Sequence, residues 1–442
     1  LPANNKTPAL AILPVEFAGW LEEISDFEQS PNLAIAISGG ADSMALLLLA
    51  SDWAHEKNGK TIALTVNHNL REEAAAEAAQ VAKWCAQKNM EHHILDWQHV
   101  QLPTSAIQQS AREARYSLMT EWCKKNQVAY LLTAHHQGDQ IETLFFRLAR
   151  GSGLAGLACM PPHTIKNGIN LLRPLLQAPK SRLIATLKHY NQPWLEDPSN
   201  QNTKYTRVHI RNQLQELTND SEFGNRVTIV SERLQKFRKA LENYIVHELA
   251  NSAQFFPQAY AVLSLREKLS PESFSYLAQI LSGGKYPPRT EKLLRFYQEI
   301  YAQDFKKRSF SGLLFEPIAD GKIIIYREPH AIEKSRIIQA GEQAIWDKRF
   351  SVVANTNLSV RALGSDGLKI VRKNSPKLLS ASPKPHAQWL KALPSFWHLE
   401  ELVSVPHINY MSCDSQFSNI KTIAKFHSTK LQNSLLEHLF SL

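Results

Sequence analysis

Ser38-Gly39-Gly40-Ala41-Asp42-Ser43 is the hexapeptide of this sequence best suited to chemistry. Two adjacent glycines let backbone N–H groups converge on one oxyanion. A helix starting here adds its positive end. Ser38 and Ser43 supply hydroxyl donors, and Asp42 can hold Mg²⁺ among phosphates. The lysine of the G-x-x-x-x-G-K-[ST] loop is missing, so this is not a kinase-type phosphate loop. The plain alternative is a βα turn whose Ser or Asp merely caps a helix. All six residues, with an apolar strand before and a helix after, favour a nucleotide. Further on, Val66-Asn67-His68-Asn69-Leu70-Arg71 closes a strand where an adenine edge could meet backbone groups. Arg112 and Arg115 share a helical face at i,i+3. Asp139 and Glu142 do the same just after His135 and His136.

These residues need elements to hold them. Leu33–Ile37 is a short apolar run of the buried-strand kind, Thr61–Val66 is again strand-like, and His92–Asp96 and Ala129–Ala134 are read as a third and a fourth strand. Helical stretches alternate with them: Asp42–Glu56, Arg71–Lys88, Ser105–Lys125 with Ser105 as N-cap, and Gln137–Arg150. Such alternation predicts a doubly wound parallel α/β sheet. Ligands bind at the carboxyl ends of its strands, so chemistry is expected just after Ile37, Val66 and Ala134. From Glu216 to about Tyr301 the pattern reads as helical, and Lys306–Arg327 as a hairpin turning at Asp320-Gly321. Three parts are expected: a catalytic domain over 1–215, a mainly helical middle domain over 216–335, and a small mixed α/β C-terminal domain over 336–442.

At 442 residues the chain is long enough for about three domains of roughly 100–200 residues. Fifty Lys+Arg against 41 Asp+Glu leave +9, an excess that suggests a polyanionic partner. The four cysteines, Cys85, Cys123, Cys159 and Cys413, form no C-x-x-C pair, which disfavours a zinc knuckle or iron–sulfur cradle. Scattered thiols fit a reducing compartment. His92, His93 and His99 lack ligand spacing and read as surface imidazoles. No signal peptide is read at the amino terminus, and the longest apolar run, Met44–Ala50, is too short for a membrane span. A cytoplasmic protein with no membrane partner is expected; monomer and homodimer stay open.

The hexapeptide resembles the loop of the pyrophosphatase-loop (PP-loop) ATP α-hydrolases, which cleave ATP to AMP and pyrophosphate while adenylating a substrate. Four more segments narrow the choice: Val66–Arg71, Ala111-Arg112-Glu113-Ala114-Arg115-Tyr116, Ala134–Thr143, and Arg150-Gly151-Ser152-Gly153-Leu154-Ala155-Gly156-Leu157. Glu196-Asp197-Pro198-Ser199-Asn200 precedes Tyr205 and Arg207. Together they resemble the tRNA(Ile)-lysidine synthetases, strongly over the first 211 residues and again around Ile345–Phe350. Val208 follows Arg207 where that family usually has asparagine; Asn212 is the available substitute. The resemblance implies ATP and Mg²⁺, free L-lysine, and a tRNA(Ile) with a CAU anticodon, whose first anticodon cytidine becomes lysidine.

It also implies roles. Cytosine O2 attacks the α-phosphorus of ATP. The loop Ser38, Gly39, Gly40, Ala41, Asp42 and Ser43, His68, and at least one of Arg112 and Arg115 suit that step. The lysine amine then attacks C2, and Asp139 and Glu142 can bind its ammonium, one of them taking the proton. An ordinary carboxylate pair near a helix N-terminus is the competing view. Because neighbouring strand residues point oppositely, one histidine is expected to reach ATP, His135, and His136 to be structural. Arg150, Lys204, Arg207 and Arg211 are candidate tRNA contacts, with Arg226, Arg233, Lys236 and Arg238. Lys369–Lys373 adds a basic patch, while Trp389, Phe396 and Trp397 read as core. The rivals are another adenylating tRNA modifier, such as a thiolase, a metabolic amide-forming synthetase of the same superfamily, and a tRNA-binding protein with a vestigial ATP site.

Overall fold

The computed structural model describes residues 9–68, 73–97, 107–196, 214, 221–284, 286–380 and 388–427. The chain divides into two compact units, 1–239 and 240–442, the boundary falling within the helix Ser221–Ser252.

In the first unit, α1 (Pro14–Glu22) precedes β1 (Asn32–Ala36), α2 (Ala41–Glu56), β2 (Lys60–Asn67), α3 (Glu73–Gln87), β3 (Glu91–Asp96), α4 (Ile107–Lys125) and β4 (Tyr130–Leu132). Then follow α5 (Gln137–Ala149), α6 (Leu154–Leu157), β5 (His163–Lys166), β6 (Ile169–Leu172) and α7 (Lys180–His189). The sheet order is β3-β2-β1-β4-β6-β5, parallel except for the antiparallel β5 edge. The expected doubly wound sheet is therefore present. Leu33 and Ile35 pack with α1, α2 and α7, whereas Ala34, Ile62 and Leu64 pack with Tyr116, Met119 and Cys123 of α4. Burial on both faces explains why β1 reads as an unbroken apolar run. Residues Met44–Ala50 are buried all round for the same reason: α2 lies beneath α1 and α7 as well as against the sheet. The chain winds outward from β1 to β3, then returns to β4 on the other side of β1. That reversal opens the crevice at the carboxyl ends of β1 and β4.

In the second unit, β7 (Ala253–Phe256) and β8 (Tyr260–Ser264) join β9 (Arg308–Phe310), β10 (Leu313–Ile318) and β11 (Lys322–Arg327) in an antiparallel sheet ordered β7-β8-β11-β10-β9. Helices Pro271–Ser282 and Thr290–Ile300 cover it around Phe274, Phe296 and Phe315. The hairpin at Asp320-Gly321 forms as expected, both residues having positive φ (63° and 66°) in the short connection between the paired Ile318 and Lys322. The uniformly helical reading of 216–301 is corrected by β7 and β8. Their inward residues Ala253, Phe255, Ala261 and Leu263 alternate with period two, over spans too short to stand out between helices. The remainder builds two antiparallel sheets, one of β12 (Arg336–Ile338), β15 (Leu358–Ala362), β16 (Pro394–His398), β17 (Glu401–Val405) and β18 (Tyr410–Met411), the other of β13 (Ala344–Trp346), β14 (Phe350–Ala354) and β19 (Thr422–Phe426), with the helix Gly364–Asn374. Trp389, Phe396 and Trp397 are core residues, as read.

Candidate active site

The hexapeptide joins β1 to α2 at the crevice. Gly39 has φ +81°, and a Cβ there would come within 2.7 Å of Leu195 Cδ1 and 2.8 Å of Val81 Cγ2. Only glycine fits this conformation and this space. The Ser43 hydroxyl donates to Gly40 O at 3.0 Å and accepts from Ser38 N at 3.2 Å, drawing the loop closed. Leu195 N donates to Gly39 O at 2.9 Å, and Leu195 pairs with Gly40 as an isolated parallel bridge. The segment leading into Glu196 is thereby held against the loop. No side chain caps α2, whose N-cap is Gly40, so its positive end faces the crevice uncovered.

Asp42 lies in the first turn of α2, and two other helix starts meet its carboxylate. His136 is the N-cap of α5, its Nδ1 accepting from Gly138 N at 3.0 Å while Asp139 accepts from His136 N at 2.9 Å, a reciprocal capping box. Because Nδ1 is an acceptor, the ring proton sits on Nε2, which lies 3.6 Å from Asp42 Oδ2. Lys180, the first residue of α7, brings Nζ to 3.7 Å of the same oxygen. The other oxygen, Oδ1, is buried without a hydrogen-bond partner.

The crevice wall is basic. His135 Nδ1 is 3.1 Å from Thr133 Oγ1. Burial, with Arg173 and Arg112 nearby, drives the His135 pKa down to about 4 against the pull of Asp139. His135 is therefore neutral at pH 7 and has a lone pair to offer. His68 also falls to about 4, through burial first and the Arg115 charge second; its Nδ1 is buried without a partner. Arg112 is exposed, its guanidinium 5.4 Å from the Tyr116 ring centre. Arg173 is only 8% exposed and donates to Pro161 O at 2.8 Å.

Several expectations change here. The two histidines were expected to diverge as strand neighbours, but β4 ends at Leu132 and both lie in the connection to α5. His136, expected only to be structural, caps α5 and also faces Asp42. Asp139 shares the capping of α5, and Glu142 lies half-buried one turn on. Arg150 ends α5, exposed, its guanidinium 4.1 Å from the Phe146 ring centre. Ser105, Asp197–Asn200, Lys204, Tyr205, Arg207 and Arg211 lie outside the described residues. Sequence reasoning missed Lys180 and Arg173. Pro179 before Lys180 was a helix-start signal, and Arg173 is the one charge within Leu171-Leu172-Arg173-Pro174-Leu175-Leu176.

Residues 15–218 match the PP-loop domain family. The chain is 32% identical to the tRNA(Ile)-lysidine synthase of Orientia tsutsugamushi (strain Boryong), covering 90% of this chain and 94% of that one. It is also 32% identical to the tRNA(Ile)-lysidine synthase of Wolbachia pipientis wMel, over 91% and 94%. The protein of that name from Rickettsia felis (strain ATCC VR-1525 / URRWXCal2) is again 32% identical, over 86% and 90%.

Proposed function

Because the chain belongs to the tRNA(Ile)-lysidine synthase family, we propose that it ligates L-lysine to C2 of the first anticodon cytidine of a CAU-bearing tRNA(Ile), with ATP cleaved to AMP and pyrophosphate. The supporting observation is the convergence on Asp42: a phosphate-type loop, an uncapped helix end and an orphaned carboxylate oxygen at one crevice.

In the first step cytosine O2 attacks the α-phosphorus and the electron pair leaves on pyrophosphate. The positioning falls to the loop amides and the Ser38 hydroxyl, with Arg112 and Arg115 on the α4 face. In the second step the lysine amine attacks C2 and AMP departs. An ammonium of pKa about 10.4 must first lose a proton. The carboxylates Asp139 and Glu142 stand at the start of α5 to bind that ammonium, one of them taking its proton, while neutral His135 is left to meet the nucleotide. The residues fit Mg²⁺, a hard cation held by one or two carboxylates together with substrate phosphates. Asp42 would hold it through the unpartnered Oδ1, and the ion would supply charge neutralisation to the triphosphate.

Thiolation is disfavoured by the thiols themselves. Burial raises Cys85 to about 11 and Cys123 to about 12, and raises Cys159 as well, so none of these three is a ready nucleophile. All four cysteines are unpaired, which suits a reducing cytoplasm where tRNA, ATP and lysine are at hand. Among the described residues no helix is long and apolar enough to cross a membrane.

The test supplies purified protein with Mg²⁺-ATP, radiolabelled lysine and unmodified CAU-bearing tRNA(Ile), then counts label in the RNA after mild alkali. Alkali-stable, ATP-dependent label is expected. Pyrophosphate release without label would keep the adenylation and overturn lysine as the acceptor.

A further inference from the structure

Lys180 was not among the residues expected at the site, and neither the loop nor the α5 cluster accounts for it. Its backbone is held firmly. Ala178 is fully buried and its carbonyl accepts from Gln137 N, the first residue of α5, at 3.0 Å. Pro179 is the N-cap of α7 and fixes its own φ at −71°. One and two turns further along α7, Leu183 and Leu187 are fully buried in the core shared with α2. A rigid base thus delivers a long cationic side chain, about half exposed, to 3.7 Å from Asp42 Oδ2.

The local charge balance leaves work for that cation. Asp42 brings one negative charge. Against it stand Lys180 and the starts of α2, α5 and α7, each helix end worth roughly half a positive charge. The Asp139 carboxylate offsets the start of α5, where it caps His136 N. The starts of α2 and α7 have no side-chain cap. The crevice around Asp42 is therefore short of negative charge before any ligand arrives. A partly exposed pair at 3.7 Å between a lysine and a carboxylate is worth little by itself, so Lys180 is readily released to a stronger anion.

We propose that Lys180 is a catalytic residue that leaves Asp42 to bind the pyrophosphate half of ATP and stabilises it as it departs. The assignment rests on the function proposed above and adds a residue to its first step. As the cytosine O2–Pα bond forms, the Pα–O bond to the β-phosphate breaks. Its electron pair stays on that bridging oxygen, and the leaving pyrophosphate gains one negative charge. An ammonium on a fixed helix start is suited to meet that charge without reorganisation. It also excludes the substrate lysine from this side by like-charge repulsion, leaving the α5 carboxylates for the incoming amine.

The experiment measures equilibrium binding of ATP, AMP and inorganic pyrophosphate, each without and with Mg²⁺, to the full-length protein and to Lys180→Met and Lys180→Arg, with thermal melting as a folding control. Lys180→Met is expected to lose roughly ten- to a hundredfold in affinity for ATP and for pyrophosphate. AMP binding should hold, and Lys180→Arg should recover most of the loss. Unchanged pyrophosphate affinity in Lys180→Met, or a parallel loss of AMP, overturns the assignment. Wild-type protein that binds none of the three ligands overturns the nucleotide reading and this residue's role together.

Discussion

His136 serves two purposes that substitution can separate. Its Nδ1 caps α5 through Gly138 N, while its Nε2–H faces Asp42 Oδ2. Asparagine is a good N-cap but too short to keep the second contact. His136→Asn should therefore unfold in urea within about 0.5 kcal/mol of wild type, yet lose about tenfold in kcat/KM for lysine incorporation, the equivalent of one interaction of about 1.4 kcal/mol. His136→Ala should show that loss plus a stability cost of about 1 kcal/mol from the missing cap. Equal activity in His136→Asn and wild type would reduce His136 to a cap. The same residue shows what spacing conceals. Two neighbouring histidines look like strand neighbours pointing apart, and only the end of β4 at Leu132 reveals that both lie in a loop. Loop residues such as Ser38–Ser43 were legible because their chemistry is local. Lys180 was not, because its partner Asp42 lies in a distant part of the chain.

At the level of elements, strands β1, β2 and β4 were visible as apolar runs, since burial on both faces leaves no polar alternation to blur them, whereas the edge strand β3 has no fully buried residue. The β5–β6 hairpin was overlooked although Asn167-Gly168, with φ of 50° and 80°, is a strong turn signal. The three-residue turn joining β13 (Ala344–Trp346) to β14 (Phe350–Ala354) was noticed only as a resemblance, and the structure supplies its physics. Asp347 is 2% exposed and accepts from Arg327 Nε at 3.2 Å and from Arg349 Nε at 2.8 Å. It also accepts from Glu333 N at 3.0 Å. One buried carboxylate thus holds two guanidinium groups, and burial lowers Arg349 to about 10. Asp347 has φ 49°, a conformation asparagine tolerates, so Asp347→Asn removes the charge and leaves the turn. It should cost about 3–5 kcal/mol in urea unfolding, the usual penalty for stranding buried charge. A cost under about 1 kcal/mol would show that Glu333, whose Oε2 accepts from Asp347 N, already balances the cluster.

For the whole molecule, the excess of +9 bears on how a large polyanion is held while chemistry occurs at one base. Phosphate contacts give affinity without sequence information, and each releases counterions, so the slope of log affinity against log salt counts them. The helix Gly364–Asn374 is a candidate footing because it buries Gly367, Leu368 and Val371 and exposes Lys369, Arg372 and Lys373 on its other side. Lys369 is already engaged with Asp366 at 2.9 Å, which leaves Arg372 and Lys373 as the better phosphate ligands. Replacing both by alanine removes no buried surface. The expected result is a salt slope shallower by about 2, with CAU-bearing and unrelated tRNAs weakened alike. Pyrophosphate release at saturating tRNA should be unchanged, because the residues proposed for that chemistry surround Asp42. An unaltered slope would remove this helix from the RNA-binding surface. A loss confined to CAU-bearing tRNA would mean that these side chains read bases instead of gripping the backbone.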